Sequence, residues 1–123
     1  MKQALIILAH GSRDPRWAEP FERLRQRVSE RAPAIDVRLA YLEAMKPDLP
    51  TAVADLVRDG ASVIRVAPVF FGQGSHLRED LPALIGSVRI DHPGVAIACG
   101  VPAGEDEGVM DALAIYCIEG LGS

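Results

Sequence analysis

Lys2-Gln3-Ala4-Leu5-Ile6-Ile7-Leu8-Ala9 runs straight into His10-Gly11-Ser12-Arg13-Asp14-Pro15. Between Ala4 and Ala9 every position is apolar, so both faces of an extended segment would be buried. That is the pattern of a central strand in a parallel sheet, covered by helices on both sides. Such sheets bind ligands beyond the carboxyl ends of their strands. His10 stands at that end, and Gly11 lets the chain turn sharply there.

Outward from this strand the chain alternates regularly. Trp17, Phe21, Leu24 and Val28 recur at helical spacing and predict an amphipathic helix ending near Pro33, with Asp14-Pro15 as N-cap and first helical position. Pro20 is awkward inside it, implying a distorted first turn or a later start. Ile35 to Leu42 reads as a second strand, nearer an edge because it begins with alternation. After Lys46-Pro47-Asp48, the stripe Leu49, Ala52, Val53, Leu56 and Val57 predicts a second helix that Gly60 ends. Ala61 to Ala67 is a third strand, followed by Pro68 to Gly74 as a loop that delivers His76. A third helix carries Leu81, Leu84, Ile85 and Val88, with Pro82 in its first turns. Gly94 to Ala98 is a fourth strand, and Glu107 to Leu121 a last helix that should bury Met110, Leu113, Ala114 and Cys117. The order βαβαβαβα predicts an α/β fold: a four-stranded parallel sheet with helices on both faces, flavodoxin-like.

Bulk properties agree with one domain over residues 1–123. Of the 123 residues 49% are hydrophobic and 24% charged, and the net charge is −4. A nucleic-acid surface needs a basic face, which this balance does not offer. The two cysteines, Cys99 and Cys117, have no CxxC spacing and suit a reducing compartment, so a cytoplasmic protein is expected. The apolar start is too short for a membrane span or a signal peptide.

Three residues are expected at one end of the sheet. His10 and His76 each follow an apolar strand, and Glu43 closes the run Ala40-Tyr41-Leu42. Taken singly, each has an ordinary reading: a histidine satisfied by a neighbouring carbonyl, or a solvated glutamate. Converging, they offer two imidazole nitrogens and one carboxylate, a donor set suited to a late first-row divalent ion. Phe70 and Phe71 are either core or the apolar wall of a pocket for a flat ligand. Gly11 and Ser12 offer backbone N–H groups beside a helix start, which favours an anion. Arg13, Arg16 and Arg78 make a local basic bias for a carboxylate-rich or phosphate-rich ligand. Against that, Asp14, Glu79 and Asp80 are available to pair with them. His92-Pro93-Gly94 reads as an exposed turn.

Ala9-His10-Gly11-Ser12-Arg13-Asp14-Pro15, Tyr41-Leu42-Glu43 and the stretch Ala67-Pro68-Val69-Phe70-Phe71 to Gly74-Ser75-His76, with Asp80-Leu81-Pro82, resemble the small CbiX-type sirohydrochlorin chelatases. The resemblance runs in register over nearly the whole chain. It implies insertion of Co2+, or alternatively Fe2+ or Ni2+, into sirohydrochlorin in cobalamin or siroheme synthesis, with the metal as substrate and no organic cofactor. It further implies that His10 and His76 contact the metal and help remove the pyrrole protons, with Glu43 assisting. Gly11, Ser12, Arg13, Phe70, Phe71, Gly74, Ser75 and Arg78 would then hold the macrocycle, and a homodimer would form with the site between subunits. Pro20 and the bulk of Phe70-Phe71 depart from the family pattern; the latter would narrow the pocket.

Two other readings stand beside it. A metal or tetrapyrrole carrier would use the same histidines without turnover. A phosphohydrolase or mutase would use His10 as nucleophile, but the arginine here follows the histidine rather than preceding it.

Overall fold

The computed structural model describes residues 1–122, the side chain of Ser75 excepted. Strands β1 (Lys2–Ala9), β2 (Asp36–Tyr41), β3 (Ala61–Pro68) and β4 (Ala96–Cys99) form one parallel sheet in the order β2-β1-β3-β4. Helices α1 (Glu19–Arg31), α2 (Leu49–Arg58), α3 (Ser75–Asp91) and α4 (Glu107–Glu119) alternate with them. The chain steps from β1 to β2 in one direction and later from β3 to β4 in the other. The crevice between the ends of β1 and β3 is therefore the topological switch point, where open α/β sheets bind ligands.

Side-chain parity in β1 divides the core. Ala4, Ile6 and Leu8 join Leu49, Ala52, Val53 and Leu56 of α2 and Leu81, Ile85 and Val88 of α3 on one face. Ile7 and Ala9 pack on the other face with Val37, Leu39 and Tyr41, beneath Trp17, Phe21, Leu24 and Val28. Ile6, Leu8 and Ile64 are completely buried. Truncating any one of them to Ala would cost about 2–5 kcal/mol.

Local sequence fixes most boundaries. Asp48 Oδ1 accepts the Thr51 N–H at 2.9 Å and caps α2. That bond holds the Asp48 carboxyl below its ordinary range. Gly60 takes φ +97° to leave the helix. Asp14 caps a separate 3-10 turn over Pro15–Ala18, and α1 begins only at Glu19. Pro20 thereby falls in the first turn of α1, where its missing N–H costs nothing.

Three expectations are corrected. α3 starts at Ser75, so His76 lies on its first turn rather than in a loop, and Pro82 falls well inside the helix. Second, α4 buries none of its residues: Met110 is 43% exposed, Ala114 and Cys117 are exposed, and Leu113 is half-buried. From Val109 to Ile118 α4 is apolar on nearly every side, so no single stripe marks a buried face. Third, His92, expected in an exposed turn, is half-buried as the residue that caps the end of α3. Among the described residues no helix is long and apolar enough to cross a membrane.

Candidate active site

The carboxyl ends of three neighbouring strands are tied together by their main chains. The Leu42 N–H donates to Ala9 O at 3.0 Å, the Glu43 N–H to His10 O at 3.0 Å and the Val69 N–H to Leu8 O at 2.8 Å. These bonds extend the ladder past the strands and bring Glu43 beside His10. Gly11 makes the approach possible: it has φ +102°, and a Cβ added there would lie 1.8 Å from Glu43 O. The close backbone approach that Gly11 permits is to Glu43. His10 Nε2 and Glu43 Oε1 are 4.0 Å apart, with 51% and 68% of the side chains exposed. The pair is open to solvent.

His10 and Glu43 share an open cavity of about 600 Å³ with His76, Leu77 and Asp80 of α3, lined also by Leu42, Leu81, Ala83 and Leu84. Such a volume is ordinary for a small-molecule site. The structure thus brings together His10, Glu43 and His76. On its other side His10 borders a second, almost purely apolar cleft of about 370 Å³. Phe70, Phe71 and Val69 form one flank, Trp17 and Phe21 another, and Ala103, Val109 and Leu113 the third. Phe70 meets the His10 ring edge to face with centroids 6.1 Å apart, and Trp17 and Phe21 stack at 4.8 Å. One imidazole therefore stands between an apolar cleft and a chamber, the polar one of the two, whose ionisable groups sit on an otherwise aliphatic wall.

The remaining predicted residues lie around these walls. Ser12 Oγ accepts the Asp14 N–H at 3.1 Å, and Asp14 in turn pairs with Arg16 at 3.3 Å. That pairing holds the Asp14 carboxyl low. Arg78 Nε donates to Gln73 O at 3.3 Å across the Gly74 turn that opens α3. Arg13 is exposed, and neither it nor Arg78 lines either cavity. The side chain of Ser75 lies outside the described residues.

Sequence reasoning missed Trp17 and Phe21 as cleft residues, because their helical spacing marked only a packed face. It missed Asp80 as a wall of the polar chamber because His76 was assigned to a loop. With α3 starting at Ser75, the His76 to Asp80 spacing of one helical turn puts both on one face.

The Methanocaldococcus jannaschii sirohydrochlorin cobaltochelatase is 36% identical over 90 residues, which cover 73% of this chain and 63% of that protein. The Saccharolobus solfataricus sirohydrochlorin cobaltochelatase is 29% identical over 115 residues, 89% of this chain and 88% of that protein. Among solved structures, a CbiX protein of Marinobacter aquaeolei VT8 superposes with a TM-score of 0.84 at 35% identity, covering 97% of both chains. The sirohydrochlorin chelatase SirB of Bacillus subtilis, in complex with cobalt, superposes with a TM-score of 0.80 at 27% identity. This match covers 97% of this chain but 51% of SirB. The fold is accordingly that of the CbiX and SirB chelatases. The CbiX family pattern matches residues 4–118, and the chain belongs to the CbiX family.

Proposed function

We propose that this chain inserts a divalent metal ion into sirohydrochlorin, with cobalt(II) as the first candidate and iron(II) and nickel(II) behind it. One observation carries the reading: His10, Glu43 and His76 line a single cavity at the topological switch point. Relatives named as sirohydrochlorin cobaltochelatases and a ferrochelatase support it. The first-row order of affinity favours nickel over cobalt and cobalt over iron, so cellular supply weighs in the choice of metal.

Insertion exchanges one M2+ for two pyrrole N–H protons. In this reading His10 and His76 take those protons and release them to water through the open chamber. Glu43 offsets the charge of the ion while its water shell is stripped. The aromatic cleft beside His10 holds the flat face of the macrocycle, and the rim from Gly11 to Arg13 and from Gly74 to Arg78 meets its carboxylates. Among the described residues no group of three or more His, Cys, Asp or Glu stands close enough to hold an ion.

In this proposal the four βα units act as one domain that pairs with a second copy. α4 exposes Ile115, Tyr116 and Ile118 at 61%, 73% and 62%. On the α1 face of the sheet, Arg65 of β3 and Ala96 and Ala98 of β4 are also exposed. An all-round apolar helix needs covering, and its charges are all acidic, which suits a surface carrying Arg65. A cytoplasmic location fits the two free thiols, Cys99 and Cys117.

The test is a chelation assay followed by the visible spectrum of the macrocycle, with cobalt(II), iron(II) and nickel(II) each supplied and then set in competition. Acceleration over the metal-only background is expected, and His10→Ala and His76→Ala should each remove at least nine-tenths of it. No acceleration with any of the three metals would sink the proposal. Stoichiometric binding without product would establish the carrier instead.

A further inference from the structure

We infer that Asp80 is a second metal-binding carboxylate of the polar chamber. With His76 it forms a capture pair that exchanges the divalent ion with the pair His10 and Glu43. The inference rests on the reading of this chamber as a chelation site and adds to it a residue.

Three observations carry it. His76 and Asp80 both line the chamber, and both belong to α3, four residues apart. At that spacing Cβ atoms stand roughly 5–6 Å apart on one helical face. An imidazole nitrogen and a carboxylate oxygen can then both reach one ion at about 2.0–2.2 Å, as helical i,i+4 ligand pairs do. Second, Asp80 is exposed and uncommitted. Of the arginines that the sequence offered as its partners, Arg78 bonds Gln73 O, Arg16 pairs with Asp14, and Arg13 is exposed and forms no ion pair with it. Among the described residues no cation pairs with Asp80. Third, the chamber's donors fall into two pairs on different elements, His10 with Glu43 at the strand ends and His76 with Asp80 on α3. No three of them stand close enough to close around an ion.

Charge decides between a role for Asp80 and a bystander. A divalent ion on His76 alone would keep its full charge of +2. The Asp80 carboxylate halves it, as Glu43 does beside His10, so the ion changes pairs with no change in net charge. Two half-sites of two donors each also explain how an ion stays exchangeable: each pair holds it weakly, and leaving one pair is offset by joining the other. No bond beyond metal coordination forms or breaks in the capture step.

Cobalt(II) titration of the folded chain, without tetrapyrrole, tests this by the cobalt visible spectrum or calorimetry. Asp80→Asn should weaken cobalt binding about tenfold, and Asp80→Glu should restore it to within about threefold. In the chelation assay Asp80→Asn should raise the KM for metal by a similar factor while the KM for sirohydrochlorin stays within twofold. The neighbouring Glu79→Gln, which removes the same charge outside the chamber wall, should change neither. Wild-type cobalt affinity in Asp80→Asn overturns the inference, and so does an equal loss in Glu79→Gln, which would reduce the effect to general electrostatics. Cobalt binding that depends on Asp80 in a chain that never chelates would uphold the inference and refute the chelatase reading, so the two fail separately.

Discussion

Replacing Gly11 by Ala separates two costs that a glycine can hide. The residue has φ +102°, a region that L side chains avoid, and the new Cβ would lie 1.8 Å from Glu43 O and 2.9 Å from Glu43 C. The dihedral alone costs about 1–3 kcal/mol, and forcing atoms into a filled space adds about 1–3 kcal/mol. The obstacle is main chain, so no rotamer relieves it. The Glu43 segment must retreat by more than 1 Å to reach a normal contact, since Cβ contacts under 3.0 Å essentially do not occur. That retreat stretches the Glu43 N–H bond to His10 O, now 3.0 Å, and pulls the carboxylate from the imidazole. A total of about 2–6 kcal/mol is a large part of the stability of a domain this size, typically about 5–15 kcal/mol. Gly60→Ala is the internal control, because Gly60 has φ +97° with nothing within 4 Å of its virtual Cβ. Urea denaturation should show Gly11→Ala less stable than Gly60→Ala by at least about 1 kcal/mol. A displacement of this size at a reacting centre costs on the order of a hundredfold, so metal insertion should fall by that factor in Gly11→Ala and hardly at all in Gly60→Ala. Equal destabilisation of the two variants would refute the reasoning, since the dihedral would then account for everything.

Two further outcomes are expected elsewhere in the molecule. At the other end of the sheet, Arg38 Nη2 lies 2.9 Å from Asp36 and 2.6 Å from Asp59, and Lys2 Nζ lies 3.3 Å from Asp36. Chiefly through the Arg38 hydrogen bond, the Asp36 carboxyl is held below its ordinary value of 3.8. Its contribution to stability is therefore complete above about pH 4 and is lost as pH falls through the lowered value. Asp36→Asn should be less stable by about 1 kcal/mol or less at pH 7, and the difference should vanish on acidification toward pH 2. A gap that persists at pH 2 in thermal melts contradicts this. For α4, Ile115→Glu with Tyr116→Lys should shift sedimentation from dimer to monomer without lowering the melting temperature by more than a few degrees. A wild-type chain that sediments as a monomer at high concentration removes the proposed pairing.

Much of the fold was legible because its signals are local. The run Ala4 to Ala9 announced a strand buried on both faces, and Lys46-Pro47-Asp48 and Gly60 marked the two ends of α2. Topology then did the rest, since alternating units bring the ends of β1, β2 and β3 to one side. Two features escaped for physical reasons. The start of α3 carries no capping side chain, because Gly74 precedes it, and Pro82 suggested a boundary at the wrong place. With the helix start went the shared face of His76 and Asp80. α4 escaped because periodicity identifies a buried stripe, and a helix with apolar residues on nearly every side has none. The apolar cleft was half legible: Phe70 and Phe71 were readable as a wall, but Trp17 and Phe21 reach it only through the turn that delays α1.

The bonds that set Glu43 beside His10 are all main-chain bonds, and the glycine that admits them contributes no functional group. Any residue other than proline at position 43 would be delivered to the same place by the same hydrogen bonds. Donor chemistry at this wall is thus detachable from the architecture that presents it. A lineage could change one codon to trade a hard oxygen for a softer nitrogen or sulfur and retune which ion it favours, while the framework stays untouched. The unforgiving position is the silent one: Gly11 has no chemistry of its own to exchange, yet it decides whether the neighbouring donor arrives at all.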